Sequence, residues 1–174
     1  MYAMGIAAAL LLVRNLHVIL LGLPDEADQG AIYRIIFFHV PPSFTASVLY
    51  LTSAIASILY LIKRDFKYDV LAVSAVEVGL PFAAVNLVTG MIWARIIWGI
   101  WWTWDARLTS ALICVLLYAG YLMLRTTIAE PEQRARIAAV YSIFAFADVP
   151  IVWYSIRWWR TQHPPPSGLV PVER

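Results

Sequence analysis

Four tryptophans, a carboxylate and an arginine crowd into the run Trp98-Gly99-Ile100-Trp101-Trp102-Thr103-Trp104-Asp105-Ala106-Arg107-Leu108-Thr109. Indole rings offer large, stiff, apolar faces that stack on a planar ligand with little loss of side-chain entropy. A guanidinium group grips carboxylates in bidentate fashion. On a helix, Trp98, Trp101, Trp102 and Asp105 stand at i, i+3, i+4 and i+7 and share one face. That face is a flat aromatic shelf with charge at its edge. The bland alternative is an interfacial tryptophan belt, a common anchor of membrane proteins.

Two histidines add a different chemistry. His39 stands in Phe37-Phe38-His39-Val40-Pro41-Pro42, and His163 ends Trp158-Trp159-Arg160-Thr161-Gln162-His163. Proline suits the first turn of a helix, so His39 is expected at or beside an N-cap. If the second stretch is helical, Trp159 and His163 share a face. A lone interfacial histidine is commonly just a hydrogen-bonding residue. Two of them beside an aromatic shelf favour ligation, since imidazole suits iron and a pair can clamp a haem from both sides. Arg95, Arg107, Arg157 and Arg160 surround the same surface. They either snorkel to lipid headgroups or pair with a dianionic ligand such as one bearing two propionates. Asp105 could orient an arginine or cap the helix that follows it.

The elements that must hold these groups are membrane spans. The chain has 174 residues, 61% hydrophobic and only 14% charged, with a mean hydropathy of +0.72. Those values place it among all-α polytopic membrane proteins. Five spans are expected, at about 4–23, 40–62, 70–92, 108–124 and 137–153, one spanning helix needing roughly 20 apolar residues. The first is interrupted by Arg14, Asn15 and His17. It carries no basic n-region and reads as a retained span, not a cleaved leader. The whole chain, 1–174, reads as one membrane domain.

With five spans, the loops at 24–39 and 93–107 and the segment 154–174 share one side. All eight tryptophans (Trp93, Trp98, Trp101, Trp102, Trp104, Trp153, Trp158 and Trp159) fall there, with His39 and His163. A belt would mark both faces. Arginine and lysine are spread evenly over the two sides, so charge does not orient the chain. A net charge of +2 without a basic run gives no sign of nucleic-acid binding. The single cysteine, Cys114, provides neither a disulfide framework nor a covalent c-type haem motif. Glu77 and Asp148 are intramembrane carboxylates without an assigned role, and His17 reads as structural.

At these residues the chain resembles the CcmC family, haem-handling membrane proteins of cytochrome c maturation. The resemblance runs from about Gln29 to Pro164. It is carried by Ala31-Ile32-Tyr33-Arg34-Ile35 leading to His39-Val40-Pro41, by Leu87-Val88-Thr89-Gly90, and by the tryptophan run. Pro150-Ile151-Val152, Ser155, Trp158-Trp159 and His163 complete it. The Ala106-Arg107-Leu108-Thr109 ending distinguishes it from related haem lyases, which typically follow the aspartate with Pro-Lys-Glu-Thr. The resemblance implies that His39 and His163 are axial ligands of haem b. It also makes the tryptophan segment, with Trp98, Trp101, Trp102, Trp104, Asp105, Arg107, Arg95 and Trp159, the binding platform.

It further implies a bacterial inner-membrane protein, not an enzyme, with its tryptophan side periplasmic. The haem would pass to the chaperone CcmE, with CcmA, CcmB and CcmD as partners alongside membrane lipid. A haem lyase and a membrane b-type cytochrome are the alternatives. Such lyases usually carry further histidines in their spans, where only His17 is available. A b-type cytochrome needs histidines within facing helices. The family usually has six spans, and the resemblance leaves the last one missing here.

Overall fold

Backbone in lipid must satisfy its own hydrogen bonds, so apolar runs of this length can only be helical. The computed structural model describes residues 2–163. Helix α1 (Tyr2–His17) passes into a π turn, Val18–Gly22, and a 3-10 turn, Ala31–Ile35, leads into α2 (Ile36–Lys63). Then follow α3 (Phe66–Ile97), α4 (Ala106–Thr127), α5 (Pro131–Phe146) and α6 (Asp148–Trp158). Five segments are long and apolar enough to cross a membrane: Tyr2–Gly22, Ala31–Lys63, Phe66–Ile97, Ala106–Thr127 and Pro131–Trp158. The protein is a multi-pass helical bundle, as its hydropathy predicts. The expected tail segment beyond His163 lies outside the described residues.

Three local expectations fail, each for a backbone reason. The prolines at 41 and 42 do not open α2: the helix begins at Ile36 and runs through both, so His39 sits within its first turn and Ile35 is the N-cap. Thr45 Oγ1 donates to the Pro41 carbonyl at 2.9 Å, and Ser47 Oγ to the Ser43 carbonyl at 2.8 Å. The two prolines leave the Phe37 and Phe38 carbonyls without an i+4 N–H donor near the start of the helix. The tryptophan run is not helical. Trp98 caps α3, its N–H donating to the Ala94 carbonyl at 2.8 Å, and Gly99 takes φ 75°, the left-handed turn that ends a helix. Residues 98–105 therefore cross between helices, and the common face expected for Trp98, Trp101, Trp102 and Asp105 does not exist. Finally, α6 stops at Trp158, and Trp159 is extended (φ −128°, ψ 157°). His163 is reached by a non-helical strap, which removes the expected shared face with Trp159.

The last span is broken too. Pro150 has no N–H for the Phe146 carbonyl, and α5 ends there, with α6 restarting at Asp148. α6 then packs on α4.

The bundle closes on small side chains, which let apolar helices approach closely where water provides no drive. On α2, Ala46, Tyr50, Ser53, Ala54, Ser57 and Tyr60 are buried along one stripe. On α3 the matching stripe is Asp69, Ala72, Ala75, Val76 and Gly79. A Cβ at Gly79 would stand 3.1 Å from Tyr50 Cε1 and 3.2 Å from Leu49 Cβ, so the glycine sets how closely α2 and α3 meet. Tyr50 stacks on Tyr118 of α4, ring centres 3.5 Å apart. Ser53 and Ser142 join α2 to α5 through a hydroxyl pair 2.9 Å apart. At the end holding the 63–66 turn, Arg125 of α4 forks onto Asp69 of α3, with N···O distances of 2.6 and 2.8 Å. Asp65 caps α3 beside them, accepting from the Lys67 N–H at 3.0 Å. The side-chain hydrogen bond from Lys67 holds its carboxyl below the usual range.

Candidate functional site

Opposite that ion pair, the ends of α2, α3, α4 and α6 splay around an open cavity of about 890 Å³. Pockets for ligands are typically about 300–1,000 Å³. His39 reaches the cavity from α2 and His163 from the strap after α6. Their ring centres are 6.5 Å apart, with planes inclined by 30°. The remaining wall is mostly aromatic and aliphatic: Tyr33, Leu87, Met91, Trp93, Trp98, Trp102, Leu108, Trp153 and Ile156 among others. Trp102 lines this region, and its buried Nε1 has no hydrogen-bond partner among the described residues.

His39 rests in a cradle built by α3. Asn86, Thr89 and Gly90 stand at i, i+3 and i+4, one face of that helix. Thr89 Oγ1 lies 3.1 Å from His39 Nδ1, and Asn86 Nδ2 donates to the His39 carbonyl at 2.9 Å. Gly90 leaves room for the ring, since a Cβ there would come within 3.0 Å of His39 Cε1. Gly90→Ala should therefore separate stability from binding. Alanine improves helix propensity by up to about 1 kcal/mol, while displacement of the imidazole should lower affinity for a ligand of this cavity on the order of tenfold. Thermal unfolding and ligand titration of the same sample check both halves.

His163 is placed by Asp105. One carboxylate oxygen of Asp105 accepts from the Leu108 N–H at 2.8 Å and caps α4. The other accepts from Thr161 Oγ1 at 2.8 Å and from the Gln162 N–H at 3.3 Å. Thr161 Oγ1 in turn accepts from the His163 N–H at 3.1 Å. A single carboxylate thus starts one helix and pins the strap that carries the second imidazole.

The arginines divide. Arg157 lines the cavity with its guanidinium 5.6 Å from the Tyr154 ring centre. Arg107 also lines it, but donates to the Val152 carbonyl at 2.8 Å and lies 5.5 Å from the Trp153 ring centre. Arg95 donates to the Gly99 carbonyl and supports the turn, outside the cavity wall. Trp101, Trp104 and Trp159 are exposed and also lie outside the wall. Of the expected residues, the cavity brings together His39, His163, Trp98, Trp102 and Arg107. The wall also holds Asn86, which sequence reasoning passed over, and Tyr33 and Trp153, to which it gave no binding role. Trp153 is fixed by an Nε1–H donated to Ser47 Oγ at 3.0 Å, and Trp93 by one to Gln29 Oε1 at 2.9 Å.

Against known proteins, the family model described as CcmC, Heme exporter protein C, matches residues 1–171. The chain is 39% identical over 146 residues to the Heme exporter protein C of Bradyrhizobium diazoefficiens, covering 84% of this chain and 56% of that protein. It is 37% identical to the Heme exporter protein C of Escherichia coli K12, over 80% of this chain and 57% of that one. A ccmC-like mitochondrial cytochrome c biosynthesis protein of Marchantia polymorpha is 35% identical, over 83% and 60%. The matched region thus spans somewhat more than half the length of these relatives.

Proposed function

The chain belongs to the CcmC family, Heme exporter protein C, and from that premise we propose that it holds haem b between His39 and His163 and passes it on. The receiver is the haem chaperone CcmE on the periplasmic side of a bacterial inner membrane. CcmA, CcmB and CcmD are its working partners. In this reading the protein carries its cargo and does not transform it.

The observation that carries the proposal is the histidine pair across the cavity. Two imidazoles bound to one metal by bonds of about 2 Å, with roughly 1 Å more from each nitrogen to its ring centre, stand about 6 Å apart. The 6.5 Å found here fits that spacing. The donor set supports a macrocycle over a bare ion. Among the described residues no group of three or more His, Cys, Asp or Glu could hold a metal, so the remaining ligands must come with the cargo. The wall fits as well: Trp98, Trp102 and Trp153 are large aromatic lining residues, while the Arg157 guanidinium suits carboxylate groups.

Iron supplies the coordination bonds when haem is present; the chain's part is to hold, orient and release. His39 and His163 would ligate, and Arg157 would counter propionate charge. The openness of the cavity between α2, α3 and the strap suits a cargo that must leave again. Haemin titration of purified full chain, read by the Soret band and by quenching of tryptophan fluorescence, tests this. Wild type should take up one haem per chain, and the His39→Ala/His163→Ala double variant should lose at least hundredfold in affinity. Equal binding by the double variant refutes the reading. Mixing the loaded protein with haem-free CcmE should then move haem to the chaperone.

A further inference from the structure

We infer that Thr89, with Asn86, acts as a positioning pair that fixes the tautomer of His39, so that Nδ1 carries the proton and Nε2 presents its lone pair to the cavity. This rests on the reading of His39 as an axial ligand. Hydrogen bookkeeping leads to it. A threonine hydroxyl has one proton to give. Thr89 Oγ1 lies 2.7 Å from the Val85 carbonyl and 3.1 Å from the Asn86 carbonyl, and both oxygens can only accept. The proton goes to that side, most strongly at the 2.7 Å contact. What Thr89 offers His39 Nδ1, 3.1 Å away, is therefore a lone pair, and the N–H must sit on Nδ1.

Asn86 points the same way. The His39 carbonyl accepts from the Asn86 amide nitrogen at 2.9 Å, which fixes which way that amide faces. That amide nitrogen also lies against the imidazole, 3.3 Å from Nδ1 and 3.4 Å from Nε2, so its second hydrogen has a ring nitrogen as the available acceptor. With Nδ1 already protonated, only Nε2 can receive it. At 3.4 Å that contact is longer than a good hydrogen bond, so a metal can displace it at small cost. Without an acceptor at Nδ1, the proton is free to sit on Nε2 and block the ligating nitrogen. Second-shell groups that orient metal-bound histidines act in this manner.

The decisive measurement needs no haem. The chain has three histidines, so nitrogen NMR of ¹⁵N-histidine-labelled full chain in nanodiscs can resolve each, with His39 assigned by its loss in His39→Ala. Wild type should show His39 protonated on Nδ1 and bare on Nε2. Thr89→Val, nearly the same shape, should abolish that preference, and Thr89→Ser should restore it. In haemin titrations Thr89→Val should bind about 10–100-fold more weakly, with Ser within about threefold of wild type. In a His39→Ala background, Thr89→Val should cost nothing further, because it acts through that ring. A wild-type His39 protonated on Nε2 overturns the inference whatever the variants do. So does an undiminished loss from Thr89→Val in the His39→Ala background. If His39→Ala alone binds haemin like wild type, the ligand reading fails, and the NMR result still judges the tautomer separately.

Discussion

Asp105→Ala should weaken haem binding by about ten- to a hundredfold while leaving the bundle folded. The carboxylate ties the strap through Thr161 Oγ1 and the Gln162 N–H. Hydrogen bonds to a charged group are worth about 1.5–3 kcal/mol each, and 1.4 kcal/mol is a factor of ten. Loss of the tie frees His163 to leave the cavity, and affinity falls with the fraction of chains holding the competent arrangement. The same substitution removes the cap of α4, a further cost of about 1 kcal/mol to helix stability. Thr161→Val separates the two effects: it releases the strap and leaves Leu108 capped. It should reproduce most of the binding loss with no change in unfolding temperature. Haemin titration and circular-dichroism melts of both variants check this. Wild-type affinity in Asp105→Ala would remove the carboxylate from any role in placing His163.

The second large effect lies at the other end of the bundle. Asp69 and Arg125 are forked together, with side chains only 11% and 12% exposed, and Arg125 also lies 5.7 Å from the Tyr121 ring centre. Asp69→Ala strands a guanidinium in a poorly solvated place, which typically costs about 3–5 kcal/mol. Replacing both partners by apolar residues of similar size, Asp69→Leu with Arg125→Met, should restore most of that stability, because no charge is left unpaired. Denaturation in detergent micelles measures the difference. Haem affinity below the melting temperature should be unchanged in each variant, since the pair joins α3 to α4 far from the cavity. A Asp69→Ala protein as stable as wild type would show the pair to be exchanged for water.

The five spans were legible in the sequence because hydropathy over about 20 residues is a property of the segment itself. Their ends were not. Pro41 and Pro42 look like a helix start, yet α2 begins at Ile36 and runs through both. Gly99 sits inside a run that scores well for a helical face, and its positive φ ends the helix before that face can form. The meeting of His39 and His163 followed from topology: an odd number of crossings separates them from the charged 63–69 turn and leaves both on one side. Periodicity then misassigned the tryptophans, because Trp101 and Trp104 point away from the wall that Trp98 and Trp102 line. Asn86 and Thr89 were invisible as a site. Asn86 was not singled out and Thr89 entered only within Leu87-Val88-Thr89-Gly90, because their partner lies 47 and 50 residues earlier in the chain. Asp105 was read as a cap, which it is, but its second oxygen binds residues 56 and 57 positions away.

The claim on which the account depends is that one iron is held by both imidazoles. Low-temperature electron paramagnetic resonance of the full chain loaded with ferric haem tests it directly. The account predicts a low-spin, bis-imidazole signal in wild type that becomes high-spin in His39→Ala and in His163→Ala separately. A high-spin wild-type signal, or a low-spin signal that survives unchanged in both single variants, would contradict it.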